Sequence, residues 1–155
     1  MATGDIKWFA QALLDLGNKI HDLDGDTLKV GFITNAVTPA VGDAAPHWGG
    51  TGTTNFNTNE VTGTGGNYTA EGVTLSGVSW SLVSSVATLR ATDISIAQHA
   101  SNPTDARWGI LYNSTDANKR AIAFLDFGSV RDLTTGAFTF NFGGAGTDVL
   151  TITQS

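Results

Sequence analysis

The spacing of turn residues after Glu60 restricts the fold of this chain more than any other feature. Clusters of glycine, asparagine and serine recur there, separated by short apolar or alternating runs. Runs of this length are typical of strands and too short for most helices. Together with one run before Glu60, they predict nine strands, at residues 28–33, 73–75, 78–82, 87–91, 93–97, 108–112, 121–127, 137–142 and 149–153.

Closely spaced strands with no helical segments between them favour antiparallel sheets over a parallel α/β sheet. We therefore predict a mainly β fold, an antiparallel β-sandwich that is jelly-roll-like and carries one N-terminal α-helix. The run 121–127 is apolar at both alternating sets of positions, which predicts a strand in the middle of a sheet. A length of 155 residues suits one domain, so 1–155 is predicted to be a single β-sandwich domain.

Apolar residues near the start of the chain follow helical spacing. The stripe consists of Trp8, Phe9, Ala12, Leu13, Leu16 and Ile20. Residues three and four apart lie on one face of a helix, so the spacing predicts a helix over residues 5–20 that covers part of the sheet. Asp5 suits the N-cap of this helix.

Residues 35–59 have little periodicity and contain two prolines and a glycine-rich run, which predicts a long loop. Loops of this length inside compact domains are usually functional or disordered. This one contains His47, Trp48 and Phe56, and aromatic residues are rare in disordered linkers.

The charge of the chain restricts its partners. Fourteen acidic and eight basic side chains give a net charge of −6, and the basic residues form no cluster. Such a surface repels phosphate, so we expect no nucleic-acid partner and no anionic membrane surface as a partner. No apolar stretch approaches the roughly 20 residues that span a bilayer, and we find no secretion signal. We expect synthesis in the cytoplasm.

The sequence contains few residues that point to catalysis or to a cofactor. It has no cysteine, three widely spaced histidines and no G-x-S-x-G motif. Residues 22–26 (DLDGD) could wrap a cation, but no glutamate follows at the position that an EF-hand loop requires, so an acidic turn is favoured. The only two glutamates, Glu60 and Glu71, could act as a carboxylate pair only if the fold brought them together. We expect no enzyme, no metal and no cofactor.

Several framework motifs resemble those of small structural proteins of tailed bacteriophages. They are the opening helix leading into DTLKV at residues 26–30, GGNYTAEGV at 65–73, WGILYN at 108–113 and KRAIAFLDFG at 119–128. They are spread from the opening helix to residue 128, and on them the chain is similar to the family of head decoration, cement or minor virion proteins. These motifs identify no active site.

The resemblance implies a jelly-roll-like protein that forms dimers or trimers and clamps neighbouring major capsid subunits from the capsid exterior. Aromatic residues often supply much of the energy of an interface, so the candidate partner-binding residues are Trp8, His47, Trp48 and Phe56. The alternative for Trp8 is that it caps the core of the sandwich. For Trp48, partner binding and core packing both remain open.

Two other functions remain open at this point. One is a tail or baseplate component of the same kind of virion. The other is a carbohydrate-binding β-sandwich module, which an exposed row formed by Trp80, Trp108 and Tyr112 on one sheet face would favour.

Overall fold

The computed structural model of the chain describes residues 6–142 and 148–153, and strands dominate it. In chain order the elements are β1 (Ile6–Trp8), α1 (Ala10–Gly17), β2 (Leu28–Ile33), β3 (Pro46–His47), β4 (Thr54–Asn55), a 3-10 helix (Asn57–Asn59), β5 (Val73–Thr74), β6 (Ser79–Val83), β7 (Val86–Arg90), β8 (Ile94–Ile96), β9 (Ala106–Asn113), β10 (Ala121–Arg131), β11 (Phe138–Phe140) and β12 (Asp148–Ile152). The prediction of a mainly β, antiparallel fold with one α-helix is confirmed, and each of the nine predicted strands has a counterpart.

The helix predicted over residues 5–20 is only partly present. Its first part forms β1, which pairs with β10, and α1 is limited to about two turns. Trp8 fits both a helical stripe and the two-residue alternation of a strand. The open edge of β10 decides between them, because pairing there satisfies the backbone N–H and C=O groups of β1. The predicted N-cap, Asp5, lies outside the described residues.

The largest sheet has the strand order β1-β10-β9-β2-β5, and all of its neighbours are antiparallel. β10 lies between β1 and β9, which confirms the central position predicted from its two apolar faces. β2 pairs with β9 from Leu28 opposite Asn113 to Ile33 opposite Trp108.

A two-stranded sheet, β8 with β11, covers part of the large sheet through phenylalanine rings. The ring of Phe138 in β11 lies 5.4 Å from that of Phe32 in β2 and 5.0 Å from that of Phe127 in β10. Both pairs meet edge to face, a geometry that aromatic rings prefer. The aromatic core therefore lies between these two sheets.

A third sheet has the order β12-β7-β6 and meets the large sheet where β12 contacts β1. Its β6 and β7 form a hairpin with a two-residue turn, Ser84-Ser85, and both turn residues have positive φ. This is the backbone of a type I′ turn, which matches the twist of a tight hairpin.

The segment 35–59 carries β3, β4 and the 3-10 helix between irregular stretches. The backbone N–H of Trp48 donates to the carbonyl of Lys119 at 2.9 Å, which ties this segment to the start of β10. Among the described residues, the longest helix is far too short and too polar to cross a bilayer.

Candidate functional site

Trp48, predicted as a partner-binding candidate, lies inside the chain. Its side chain has no exposed surface, and its indole stacks on the ring of Tyr112 in β9 with centroids 5.4 Å apart and planes 10° apart. On β2 the indole lies so close to Gly31 that a Cβ atom at that position would overlap it. Trp48 therefore fastens the segment 35–59 to the large sheet.

His47 and Phe56 are buried as well. The ring of Phe56 stacks on that of Phe9 with centroids 5.6 Å apart. Burial lowers the pKa of the His47 imidazole, so it is neutral at pH 7. These positions correct the prediction that His47, Trp48 and Phe56 reach toward a partner, because the core of the same chain already covers them.

Trp8 lies half-buried on β1, at the junction of two sheets. Its indole N–H donates to the carbonyl of Thr151 in β12 at 3.2 Å. The rest of the side chain packs against the core. In the described structure it joins the large sheet to the three-stranded sheet.

The two glutamates come together beside the 3-10 helix. The carboxylate of Glu60 accepts hydrogen bonds from the hydroxyl of Tyr68 at 3.0 Å and from the backbone N–H of Glu71 at 2.7 Å. The Tyr68 hydroxyl in turn accepts the backbone N–H of Phe32 at 2.8 Å, and the Glu71 carboxylate pairs with Lys119 at 2.6 Å. The sequence could not reveal this network, because its links run through a tyrosine and through backbone groups.

The two carboxylates differ in their electrostatics. Burial raises the pKa of Glu60, whereas the hydrogen bond from the Lys119 ammonium lowers the pKa of Glu71. A pair whose pKa values are pushed apart is also the pattern of acid–base catalysis. Here Glu60 accepts hydrogen bonds from Tyr68 and from backbone. The pair therefore holds separate segments of the chain together.

A second buried polar group lies under α1. The Nδ1 atom of His21 is 3.3 Å from the side-chain amide of Asn113, which also donates to Asp26 at 2.5 Å. One oxygen of the buried Asp15 carboxylate lies 3.9 Å from the guanidinium of Arg120. Burial is the main reason that the pKa of His21 is lowered. No three His, Asp or Glu side chains in the described part of the chain are placed to hold a metal ion.

The acidic turn at residues 22–26 uses its carboxylates to bind backbone. Asp22 accepts the N–H groups of Asp24 and Gly25 at 3.3 and 3.1 Å, and Asp26 accepts the N–H of Asp22 at 2.8 Å. Asp24 reaches further and accepts the backbone N–H of Trp80 in β6 at 3.3 Å. The turn therefore joins α1 to β2 and also borders the three-stranded sheet.

Three cavities indent the surface, with volumes of about 450, 240 and 230 Å³. The largest lies between the end of β10 and β11, the second between β1 and the loop at Val41, and the third between α1 and β3. Each cavity contains a charged side chain that interacts with another group of the chain. In the first, Arg131 donates to the carbonyl of Phe127. In the second, Asp126 pairs with Arg107, and in the third, Arg120 pairs with Asp116. The glutamate network lines none of these three.

The aromatic residues considered for sugar binding do not form a row. Trp80 lies on β6, in a different sheet from Trp108 and Tyr112 on β9. Tyr112 is fully buried, and the guanidinium of Arg107 covers the ring of Trp108 at 4.0 Å. The geometry that would favour a carbohydrate-binding module is therefore not present in these three residues.

Exposed apolar side chains lie on α1 and on the loop bonded to its first turn. Leu13 and Leu14 of α1 are 45% and 58% exposed, and Val41 of the loop is 47% exposed. The backbone N–H of Ala10 donates to the carbonyl of Val41 at 2.9 Å, so the loop lies against the first turn of α1. The only charged residue in α1, Asp15, is buried. We call Leu13, Leu14 and Val41 the α1 patch.

A second exposed apolar region lies on the β6–β7 hairpin. Leu82 is 76% exposed, and residues 72–89 contain no charged side chain. The sequence signal for this region is the absence of charged residues over 72–89. The alternation of its strands does not indicate that Leu82 is exposed.

No model of a protein family, no curated protein and no solved structure matches the chain.

Proposed function

We propose that the chain is a capsid decoration protein of a tailed bacteriophage, which binds the major capsid protein on the outside of the virion and stabilises the lattice. In this proposal the sheets form a jelly-roll-like sandwich, and the protein acts as a homo-oligomer without catalysis or a cofactor. The resemblance of its framework motifs supports the proposal, and the antiparallel pairing agrees with the proposed architecture.

The motifs that carry the resemblance lie together in the structure. Three of them fall on β2, β9 and β10, which are neighbours in the large sheet. The fourth, at residues 65–73, is held against this sheet because the hydroxyl of Tyr112 donates to the carbonyl of Glu71 at 2.8 Å. They therefore describe one contiguous framework rather than scattered similarities.

The α1 patch is the observation that carries the proposal. It exposes three large aliphatic side chains, and α1 places no charged side chain on its open surface. Contiguous exposed apolar surface commonly marks a protein-binding site. The two glutamates, in contrast, are engaged in hydrogen bonds that hold segments of the chain together. The surface is therefore better suited to binding another protein than to catalysis.

Capsids of the phage that encodes the chain, purified without it, provide the test. Adding the purified chain should give saturable binding in co-sedimentation and should raise the temperature at which the capsids are disrupted, because a ligand stabilises the state that it binds. A chain that is folded and does not bind these capsids would contradict the proposal.

Two matched variants locate the binding surface. Val41→Lys places a charge in the α1 patch, and Val130→Lys makes the same change at a side chain that is 49% exposed and lies outside the patch. We expect Val41→Lys to weaken capsid binding by roughly 5- to 30-fold, the loss typical of 1–2 kcal/mol at an interface. Val130→Lys should bind as the unmodified chain does. Equal binding by both variants would exclude the α1 patch as the contact surface.

A further inference from the structure

β6 is a terminal strand of its sheet, and its outer side has no partner strand among the described residues. Edge strands in monomeric proteins are usually protected by a charged residue, a proline or a bulge, because their open N–H and C=O groups can pair with another chain. β6 has the sequence SWSLV, with no charge and no proline, and it pairs with β7 without a register shift. The carboxylate of Asp24 covers this edge at Trp80, whereas the edge at Leu82 lacks the usual protection.

The hairpin register determines which backbone groups face outward. In a hairpin with a two-residue turn, the residues next to the turn, Val83 and Val86, form a hydrogen-bonded pair, and such pairs alternate along the strands. Leu82 and Trp80 are then in the non-bonded positions, so their N–H and C=O groups point away from β7. The bond from the Trp80 N–H to Asp24, at 3.3 Å, agrees with this assignment. Among the described residues, none bonds to the N–H or C=O of Leu82 on this outer side.

The side chains continue the same pattern. Leu82 lies opposite Ala87 in β7, and Ala87 lies opposite Ile152 in β12, so the three form an uncharged row across the sheet. Leu82 and Ile152 are both exposed, and the row ends at the open side of β6. An identical row from another sheet would extend it without placing like charges together.

We propose that the β6 edge binds a second copy of this chain, with β6 of each copy pairing antiparallel about a two-fold axis at Leu82. Each Leu82 then donates its N–H to the Leu82 carbonyl of the other copy, and the two three-stranded sheets become one of six strands. The inference rests on the proposed homo-oligomer and specifies its surface and its symmetry. A second copy is favoured over another acidic protein because a chain of net charge −6 repels itself least where its surface carries no charge, as at residues 81–89, beyond the Asp24 carboxylate at Trp80.

The same geometry limits the assembly to two copies. The opposite side of the sheet ends at β12, which contacts β1. There the indole N–H of Trp8 donates a hydrogen bond to the carbonyl of Thr151. The proposed contact uses the β6 side, and a two-fold contact there closes on itself, so it joins two copies.

The test is the mass in solution across a range of concentrations, measured by sedimentation for the unmodified full chain, Leu82→Lys and Leu14→Lys. Leu82 and Leu14 are both exposed, so the same change at each should leave the fold intact, which circular dichroism checks. We expect the unmodified chain and Leu14→Lys to reach twice the 16.1 kDa of one chain. Leu82→Lys should remain at the mass of one chain at concentrations at least tenfold higher, because its two added charges would face each other.

The possible failures are distinguishable. A single-chain mass for the unmodified protein at every concentration, or a dimer that Leu82→Lys leaves intact, would overturn the inference. Capsid binding by a chain that stays monomeric would leave the decoration function standing without this interface. A dimer of the expected kind that binds no capsid would contradict the decoration function and leave the interface standing.

Discussion

The five-stranded and the three-stranded sheets differ in how much of their apolar surface is buried. In the large sheet, β9 and the first half of β10 are buried on both faces, and their aromatic neighbours reach them from the loop 35–59 and from β11. In the three-stranded sheet, the apolar row that ends at Leu82 runs out to solvent. One sheet thus uses its apolar side chains for stability, and the other leaves some of them available for association.

This difference shows that an apolar position in a strand has no fixed role. Trp48 lies between proline and glycine in a loop and is buried, whereas Leu82 lies in a regular strand and is exposed. Whether such a position is buried depends on which elements of the fold pack against it.

Removing Trp48 should have the largest effect. Trp48→Ala deletes a fully buried ring that stacks on Tyr112, and truncations of this size in a core cost about 3–5 kcal/mol of unfolding free energy. Urea unfolding followed by circular dichroism measures this value. Leu82→Ala, measured in dilute solution where the chain is monomeric, is the control, since an exposed side chain should change the free energy by less than about 0.5 kcal/mol. Similar losses for the two variants would remove the contrast between the sheets.

Adding a methyl group at Gly31 tests how tightly Trp48 is held. The new Cβ of Gly31→Ala would overlap the indole, and overpacking of this kind costs about 1–3 kcal/mol. Gly17→Ala, in the last turn of α1 with no atom within 4 Å of the added carbon, should be neutral or should raise the stability. Thermal unfolding of both variants distinguishes them, and an unchanged stability for Gly31→Ala would show that Trp48 lies elsewhere.

The glutamate network should contribute less than the aromatic core. Tyr68→Phe removes a hydroxyl that links the N–H of Phe32 to the carboxylate of Glu60, which should cost about 1–3 kcal/mol because both groups lose a partner in a largely buried place. Chemical unfolding at pH 7 measures the loss. If the loss is negligible, the network does not hold residues 60–71 against β2.

Acid should weaken the fold through the histidine under α1, and this is the smallest of these effects. Burial keeps the folded-state pKa of His21 below the ordinary 6.5, so the unfolded chain binds a proton first as the pH falls. The stability that this group contributes is fully present above pH 6.5 and is lost as the pH falls from there through the lower folded-state pKa. His21→Gln should reduce the dependence of the unfolding free energy on pH below 6.5. An identical pH dependence in the variant would contradict the burial of His21.

The sequence predicted the strands well because alternation and turn residues are local signals. It misjudged residues 6–8 because an apolar spacing of this length fits a helix and a strand equally, and only the open edge of β10 separates them. It could not place Trp48, since the proline and glycine beside it indicate a loop and say nothing about Tyr112, which lies 64 positions further along the chain.

The exposed surfaces were harder to predict than the core. Nothing in the alternation of β6 distinguishes a strand at the edge of a sheet from one at its centre, so the exposure of Leu82 was missed. The absence of charge over residues 72–89 was the available signal. The pairing of Glu60 with Glu71 was also out of reach, because it depends on a bond to backbone that forms only after the chain has folded.

Amide hydrogen exchange at several protein concentrations tests the central contrast most directly. The amide of Leu111, in the middle of β9, should exchange slowly at every concentration, because it lies inside the large sheet. The amide of Leu82 should exchange quickly in dilute solution and become protected as the concentration rises. Exchange at Leu82 that is independent of concentration, or rapid exchange at Leu111, would contradict the division of the molecule into a stable framework and an edge that associates.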